Sequence, residues 1–464
     1  MRWAPWLAVV LGLCSLVFAG RWSSPALLED TDTAVLLARI REVQDPLAWF
    51  RGDWPLQNHF YRPVSTLSFE MDDSVSGARE GASDSHVSSV FGTTNALLAV
   101  SCILLLFWFL REATDSPWLT GVSTALFAVW HVSNVPSQLL GAVVSWSWVV
   151  CLLGLLRGGR EKVWPIVLAS SACLFLPEML FPVNDFASRI VAWLPGRTAS
   201  VMTVFALLSL ASYARVVRLS ARREHSPATS VDVPATKSAT VGGMGRFERA
   251  TLLLLSAVGL GLALGSYEQA VMLPALLFGV WLMYWLRGFR STWWPHVVFW
   301  TLLVGYLVLR AQLVPSDVSG YQDQQFRSGP GVWIALGSYT VPALYGLYLL
   351  GGTLSSGLIV VFTTVFWSPV AGFVGNAAAL VRGWASRETR WLFVGFFLLS
   401  LVAFLPMAWL KPFGHYHYLP SALRAPFVVL MFVAVFRLVA SAVSLPELRA
   451  PERRGPAPGS LLRP

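Results

Sequence analysis

A succession of apolar runs, each about 15–20 residues long and nearly free of charge, limits what this chain can fold into. In lipid the backbone must satisfy its own polar groups, so such runs fold as helices. Only 13% of the 464 residues are charged, against about 25% in soluble proteins. The 22 Trp suit a chain with many membrane–water interfaces to anchor. A formal net charge of +9 raises the question of nucleic acid. The Arg residues, however, lie in short loops between apolar runs, a positive-inside pattern rather than a binding stripe, so nucleic acid is set aside as a partner. Cys14, Cys102, Cys151 and Cys173 all fall inside apolar runs without metal-ligand spacing, so neither disulfide nor zinc site is expected.

Basic residues orient the chain. Arg2 precedes the first run, near Trp6–Ala19, which places the N-terminus inside and the polar segment Arg21–Gly92 outside. The start also reads as a signal peptide ending near Phe18-Ala19-Gly20. Cleavage would leave an acidic segment at a free terminus and upset the parity of spans, so an uncleaved first helix is preferred. Further spans are expected near Thr94–Leu110, Trp118–Val132, Leu139–Leu156, Trp164–Met179, Thr198–Val217, Thr251–Ser266, Val271–Leu286, Pro295–Leu313, Leu358–Val381, Trp391–Trp409 and Pro426–Ala442. Trp333–Leu350 reads as a re-entrant or interfacial helix, because a span there would put the basic stretch Arg382–Arg390 outside. Arg218–Arg249 reads as a flexible, disordered inner linker. It divides an N-terminal membrane half (1–217), with its external loop 21–92, from a C-terminal half (250–443), and 444–464 reads as a disordered tail. The expected class is an all-α polytopic membrane protein of about twelve spans, both termini cytoplasmic, in a bacterial inner membrane or its equivalent.

Sorting polar residues by side is informative, because catalysis needs several on one face. The outer face collects Glu29, Asp30, Asp32, Arg62, His131, Asn184, Asp185, Arg189, Arg197, Glu268, Arg310, His415 and His417; the inner face collects mostly Arg and Lys. That asymmetry points to an enzyme working outside. Asp30 and Asp32 sit where a lipid head group would lie, and a carboxylate there can take a proton from an attacking acceptor hydroxyl. The lipid side would also raise its pKa toward that task. The same acids suit the N-cap of a helix TAVLLARIREV. Asp-Thr-Asp has the DxD spacing of some metal-binding sugar transferases. Arg62, Arg197 and Arg310 are candidate phosphate binders through bidentate hydrogen bonds, or else snorkelling or salt-bridged arginines. Glu268, in GSYEQAVMLP, suits a buried bond that fixes a tight turn. His131, His415 and His417 show no metal spacing and suit interfacial packing, proton transfer or ligand contact.

Taken together these segments resemble a known family. DTDTAVLLARI, FYRPVSTLSFEMD and an Asn-led helix at Asn95 are similar to the first external loop of integral-membrane GT-C glycosyltransferases, within the protein O-mannosyltransferase-like branch. That branch includes the transmembrane-and-tetratricopeptide mannosyltransferases. FPVNDFASRIVAWLPGR, GSYEQAVMLP, YLVLR and HYHYLPS look like later segments of that branch, in family order from about residue 28 to 421. The resemblance implies a GT-C-like bundle and inverting transfer, on the external face, from a polyprenyl-phosphate sugar embedded among membrane lipid to a glycan, lipid or protein acceptor. It implies Asp30 or Asp32 as general base and Arg310 and Arg197 near the donor phosphate; Arg62, His131, Glu268, His415 and Tyr416 are expected on the substrate side. The lipid-linked sugar is a substrate; no cofactor follows, and a divalent metal is not favoured. The sequence departs at His415, where the family has Arg, at Tyr267, where it has Lys, and at Thr31, which separates the paired acids. No tetratricopeptide repeats follow. The rival expectation is a non-enzymatic polytopic protein, either a lipid or glycan transporter or an inactive transferase partner.

Overall fold

The computed structural model describes residues 2–20, 27–43, 45–132, 190–224, 235–289, 291–327, 329–340, 387–411 and 413–443. Among them the fold is helical and without strands, save an isolated antiparallel bridge between Phe326 and Leu410. The α-helices are α1 (Ala4–Ala19), α2 (Thr31–Val43), α3 (Pro63–Val75), α4 (Asp84–Thr114), α5 (Pro117–Val132), α6 (Arg197–Glu224) and α7 (Ala235–Leu264). They continue with α8 (Leu273–Leu286), α9 (Pro295–Leu313), α10 (Gly320–Gln325), α11 (Pro330–Thr340), α12 (Arg387–Phe404) and α13 (Tyr418–Val443). Pro63, Pro117, Pro295 and Pro330 each open their helix, where a missing N–H costs nothing and a fixed φ is already helical.

Among the described residues six stretches are long and apolar enough to cross a membrane: Asp84–Thr114, Leu194–Ala221, Gly245–Leu264, Glu268–Leu286, Pro295–Leu313 and Glu388–Trp409. The expected spans at 139–156, 164–179 and 358–381, the polar residues Asn184, Asp185 and Arg189, and the tail lie outside the described residues. So do most of the expected re-entrant helix and residues 225–234 of the expected linker. Helix α6 reaches Glu224 and α7 starts at Ala235, so helix extends into both ends of segment 218–249.

α6 is the centre of the bundle and packs on α4 and α7 most extensively. Small residues let α6 and α7 close up, as between helices in lipid. Ser209 Oγ donates to Ser256 O at 2.8 Å and Ser256 Oγ donates back to Ser209 O at 3.0 Å. A Cβ on Gly259 would lie 2.9 Å from the Phe205 carbonyl oxygen. At one end of the bundle Asp115, left-handed at φ 53°, ends α4 and pairs with Arg2 and Arg218, while buried Glu112 pairs with Arg215 and Arg218.

The other end corrects the expected external loop. Residues 27–92 form a folded lobe rather than a loop. α4 begins at Asp84, ten residues before the expected Thr94, with the Ser83 hydroxyl accepting from His86 N–H. Its 31 residues make a rod of about 46 Å, which outruns a hydrocarbon layer of about 30 Å. α2 buries Thr33, Leu36, Leu37 and Ile40, one face at helical spacing. Leu36, Leu37 and Ile40 meet Trp49, Trp54, Phe69, Val87, Phe91 and Leu194 in a hydrophobic core separate from that of the bundle. Phe69 is fully buried there, and its truncation to Ala would cost about 3–5 kcal/mol.

The inner stripe of α3 is acidic, and a buried carboxylate needs partners. Each has them. Glu70 Oε1 accepts from Trp49 Nε1 at 2.8 Å. Asp73 accepts from Arg41 Nε at 2.8 Å and from Arg79 Nε at 3.0 Å. Asp72 accepts from Thr94 Oγ1 at 2.7 Å and lies 2.7 Å from Arg197 Nη1. The lobe is therefore fastened to α4 and α6 by charge as well as by its apolar core.

Candidate functional site

The site is built around the turn 53–62. Asp53 Oδ1 accepts from the Trp54 and Phe60 amides at 2.8 Å each, and Oδ2 accepts from the His59 amide at 2.9 Å. This closes the turn around Gln57 and His59, both left-handed at φ 51° and 63°. The chain is thereby aimed so that Arg62 sits just before α3. There its guanidinium meets Glu268: Nε lies 2.9 Å from Oε2 and 3.2 Å from Oε1, and Nη2 lies 2.6 Å from Oε2. Three rings surround the guanidinium, with centroids 4.2 Å away at Phe60, 4.6 Å at Tyr267 and 5.0 Å at Trp54. Backbone bonds hold the two segments together, Val64 N–H to Gly265 O at 2.9 Å and Ser65 Oγ to Ser266 O at 2.9 Å. Glu268 has Arg62 as its partner, which ties its turn to the start of α3. For Arg62 the salt-bridge alternative holds, so it is not an uncommitted phosphate binder.

Segment 315–327 lies across this turn. His59 O accepts from Arg310 Nη2 at 3.2 Å and from Gln322 Nε2 at 3.3 Å. Asn58 O accepts from Ser319 Oγ at 3.2 Å, and Tyr321 sits edge-on to Phe60. The far side of the segment joins 409–411 through Arg327 N–H to Trp409 O at 2.7 Å and Lys411 N–H to Gln325 O at 2.9 Å. Residues 413–417 then bring in His415 and Tyr416, both buried, with ring centroids 4.5 Å apart. His415 lies 6.2 Å from the Tyr267 ring and 5.2 Å from that of Trp193. Trp193 Nε1 donates to Asp30 Oδ1 at 3.1 Å. A continuous path thus runs Asp30–Trp193–His415–Tyr267–Arg62–Glu268, with Tyr416 and Arg310 beside it.

The two acids of the first turn separate in role. Asp30 caps α2: its Oδ1 also accepts from Thr33 N at 3.1 Å and Thr33 Oγ1 at 3.4 Å. Asp32 lies one residue inside the helix and is exposed. Partial burial, and secondarily the charge of Asp30, holds its carboxyl above the usual carboxylate value.

Two predicted residues stand apart. Arg197 is fully buried, and its ion pair with Asp72 is joined by bonds to Asn95 Oδ1 at 2.6 Å, Phe91 O at 2.9 Å and Ser68 O at 3.2 Å. It is the pin between lobe and bundle, the salt-bridged alternative among its readings. His131 Nδ1 lies 2.9 Å from Phe127 O, which can only accept, so Nδ1 carries the proton. Nε2 then accepts from Tyr418 Oη at 2.9 Å. Both nitrogens are engaged, so His131 joins α5 to α13.

Sequence reasoning missed Tyr267 and Tyr306, which line the Arg62–Glu268 pair, and the buried acids Glu70, Asp72 and Asp73. The acids had a signal: FEMDD places three carboxylates on a stripe that includes Phe69, which no solvated face requires. Among the described residues no three His, Cys, Asp or Glu side chains gather in a way that could hold a metal ion. Scans against protein-family models, characterised proteins and solved structures return no match to this chain.

Proposed function

We propose that this chain is a membrane-embedded glycosyltransferase of GT-C type, moving a sugar from a polyprenyl-phosphate donor to an acceptor on the external face. The reading includes about twelve spans, both termini cytoplasmic, and the lobe 27–92 outside. The observation that carries it is convergence. Asp30, Arg62, Glu268, Arg310, His415 and Tyr416 come from segments far apart in sequence, yet they form one cluster at a single end of the bundle. A cluster of charge and tyrosine at the mouth of apolar helices suits a substrate with a hydrocarbon tail and an anionic, hydroxyl-rich head.

In this mechanism Asp32 is the general base, because Asp30 is occupied with the helix cap and the Trp193 indole. The acceptor oxygen attacks the anomeric carbon as its proton passes to the Asp32 carboxylate. The bond from that carbon to the phosphate oxygen breaks with inversion, and polyprenyl phosphate leaves with the electron pair. The test is transfer of radiolabelled sugar from a panel of polyprenyl-phosphate sugars in membranes holding wild type, Asp30→Asn or Asp32→Asn at matched expression. The expected result is transfer by wild type and a loss of about 10²–10⁴-fold in Asp32→Asn. Wild-type membranes inert with every donor would refute the transferase. Full activity in Asp32→Asn would refute its role as base.

A further inference from the structure

Arg310 ties one end of α9 to the lobe. At the other end a cavity of about 530 Å³ opens between α8 and α9. Phe278 of α8 lines it, with Trp293, His296, Val297, Trp300 and Val304 from the start of α9. His296, Val297, Trp300 and Val304 recur at helical spacing, so they form one stripe about 12 Å long. Phe278, Trp293, Val297, Trp300 and Val304 are exposed, and α9 packs chiefly on α7 and α8. In a membrane this groove faces lipid.

His296 is different from the rest of the wall. It is 5% exposed, and its Nε2 lies 2.9 Å from Tyr213 Oη on α6. Among the described residues that hydroxyl has no other acceptor, so it donates to Nε2, and Nδ1 carries the proton. Nδ1 is buried and has no hydrogen-bond partner. Buried polar groups are satisfied nearly everywhere in folded proteins. The remaining side chains of the wall are Phe, Val and Trp, which offer no oxygen, so an acceptor has to arrive with a ligand. Its depth narrows the choice. The 19 residues of α9 span about 28 Å, close to a hydrocarbon layer of about 30 Å. His296 is the second of them and lies beside the exposed Trp293 and Trp294, at the level where hydrocarbon meets head groups. The oxygens that a bilayer presents at that level are the ester carbonyls of its glycerolipids.

We infer that the groove between α8 and α9 holds one acyl chain of a diacyl glycerophospholipid, whose ester carbonyl accepts a hydrogen bond from His296 Nδ1. The chain runs from His296 along Val297, Trp300 and Val304 toward the middle of the membrane. The apolar wall alone would take any lipid tail. The single donor selects a lipid with a carbonyl at this depth, and the low dielectric around it strengthens that bond. The site is independent of the transferase reading.

The test is native mass spectrometry of the full chain from detergent micelles holding equal amounts of three probes: dioleoyl phosphatidylglycerol, its dialkyl ether analogue, and a polyprenol. Wild type should retain the diester over the diether by about fivefold or more, the worth of one hydrogen bond made in place of an orphaned donor. The double variant Tyr213→Phe/His296→Phe removes both partners of the buried pair, so no hydroxyl is orphaned; it should hold diester and diether equally. Val304→Trp fills the groove from an exposed position, so it should fold as wild type does and lose both phospholipids about tenfold. Equal retention of diester and diether by wild type overturns the inference, as does a preference that survives in the double variant. Val304→Trp retaining both as wild type does shows that the lipid sits elsewhere. Polyprenol held ahead of the diester overturns the inference too, and gives the groove an isoprenoid occupant.

Discussion

Asp72→Asn is the sharpest probe of how the lobe is attached to the bundle. The two side chains have nearly the same shape, so packing is unchanged, and the Thr94 hydroxyl still finds an acceptor at the Oδ1 position. What disappears is the carboxylate 2.7 Å from the Arg197 guanidinium, which has no solvent exposure. Removing one member of a buried ion pair costs about 3–5 kcal/mol, because the other charge is left without compensation. Arg197 keeps Asn95, Phe91 O and Ser68 O, and the faces of Phe69 and Phe91 at 4.9 and 5.2 Å. Those contacts favour the lower end, about 3 kcal/mol. The assay is reversible unfolding in mixed micelles against mole fraction of sodium dodecyl sulfate, followed by tryptophan fluorescence. Adding Arg197→Met should recover part of the loss, since no charge is then orphaned. A single variant within about 1 kcal/mol of wild type, or a double variant showing the sum of both losses, would refute the account of Arg197 as the pin.

At Asp30 the cap and the chemistry can be separated, because Asn caps as well as Asp. Asp30→Asn should melt like wild type, while Asp30→Ala should lose about 0.5–2 kcal/mol, read from the same unfolding curves. Asp32 has a raised carboxyl value, so its proton is held more tightly in the folded state; its contribution to stability is full below about 3.8 and is lost as pH rises through the raised value. Asp32→Asn should therefore be no less stable than wild type at neutral pH. The wild-type transfer rate should fall on acidification at a midpoint above that of an ordinary aspartate, and an acid limb centred at the ordinary value would count against Asp32 as base. Gly259→Ala should weaken the α6–α7 contact by about 1–3 kcal/mol, because the new methyl meets the Phe205 carbonyl and Ser209 amide, at 2.9 and 3.1 Å, and neither can turn away. Gly395→Ala meets first the flexible Met283 side chain, which has other rotamers, so it should melt much closer to wild type.

Helix ends were legible where hydrophobicity and punctuation coincide. Pro295–Leu313 was expected with both bounds as found, since Trp293-Trp294-Pro295 opens the apolar run and Pro315 follows its end. α4 was placed ten residues late because hydropathy marks where a helix becomes apolar, not where it starts. DSHVSSVFGT is polar, and only the Ser83 cap announces it. The same effect hid α3 inside a segment read as a loop, whereas α2 was legible as the capped helix TAVLLARIREV, with Thr33, Leu36, Leu37 and Ile40 at helical spacing.

The arginines show what no local pattern could decide. Arg62, Arg197 and Arg310 look equivalent in sequence as candidate phosphate binders on the outer face. Their fates depend on what folds opposite them: Glu268 is 206 residues from Arg62, Asn95 is 102 residues from Arg197, and His59 is 251 residues from Arg310. A guanidinium sealed with its own carboxylate is structural, as Arg197 is. One paired at the margin of the cluster becomes a wall, as Arg62 is. Of these three, Arg310 alone keeps a buried donor without an acceptor, one helical turn from a tyrosine in the same condition. Since a buried donor without a partner is costly, both weaken the fold as it stands, which neither the Arg62 nor the Arg197 guanidinium does.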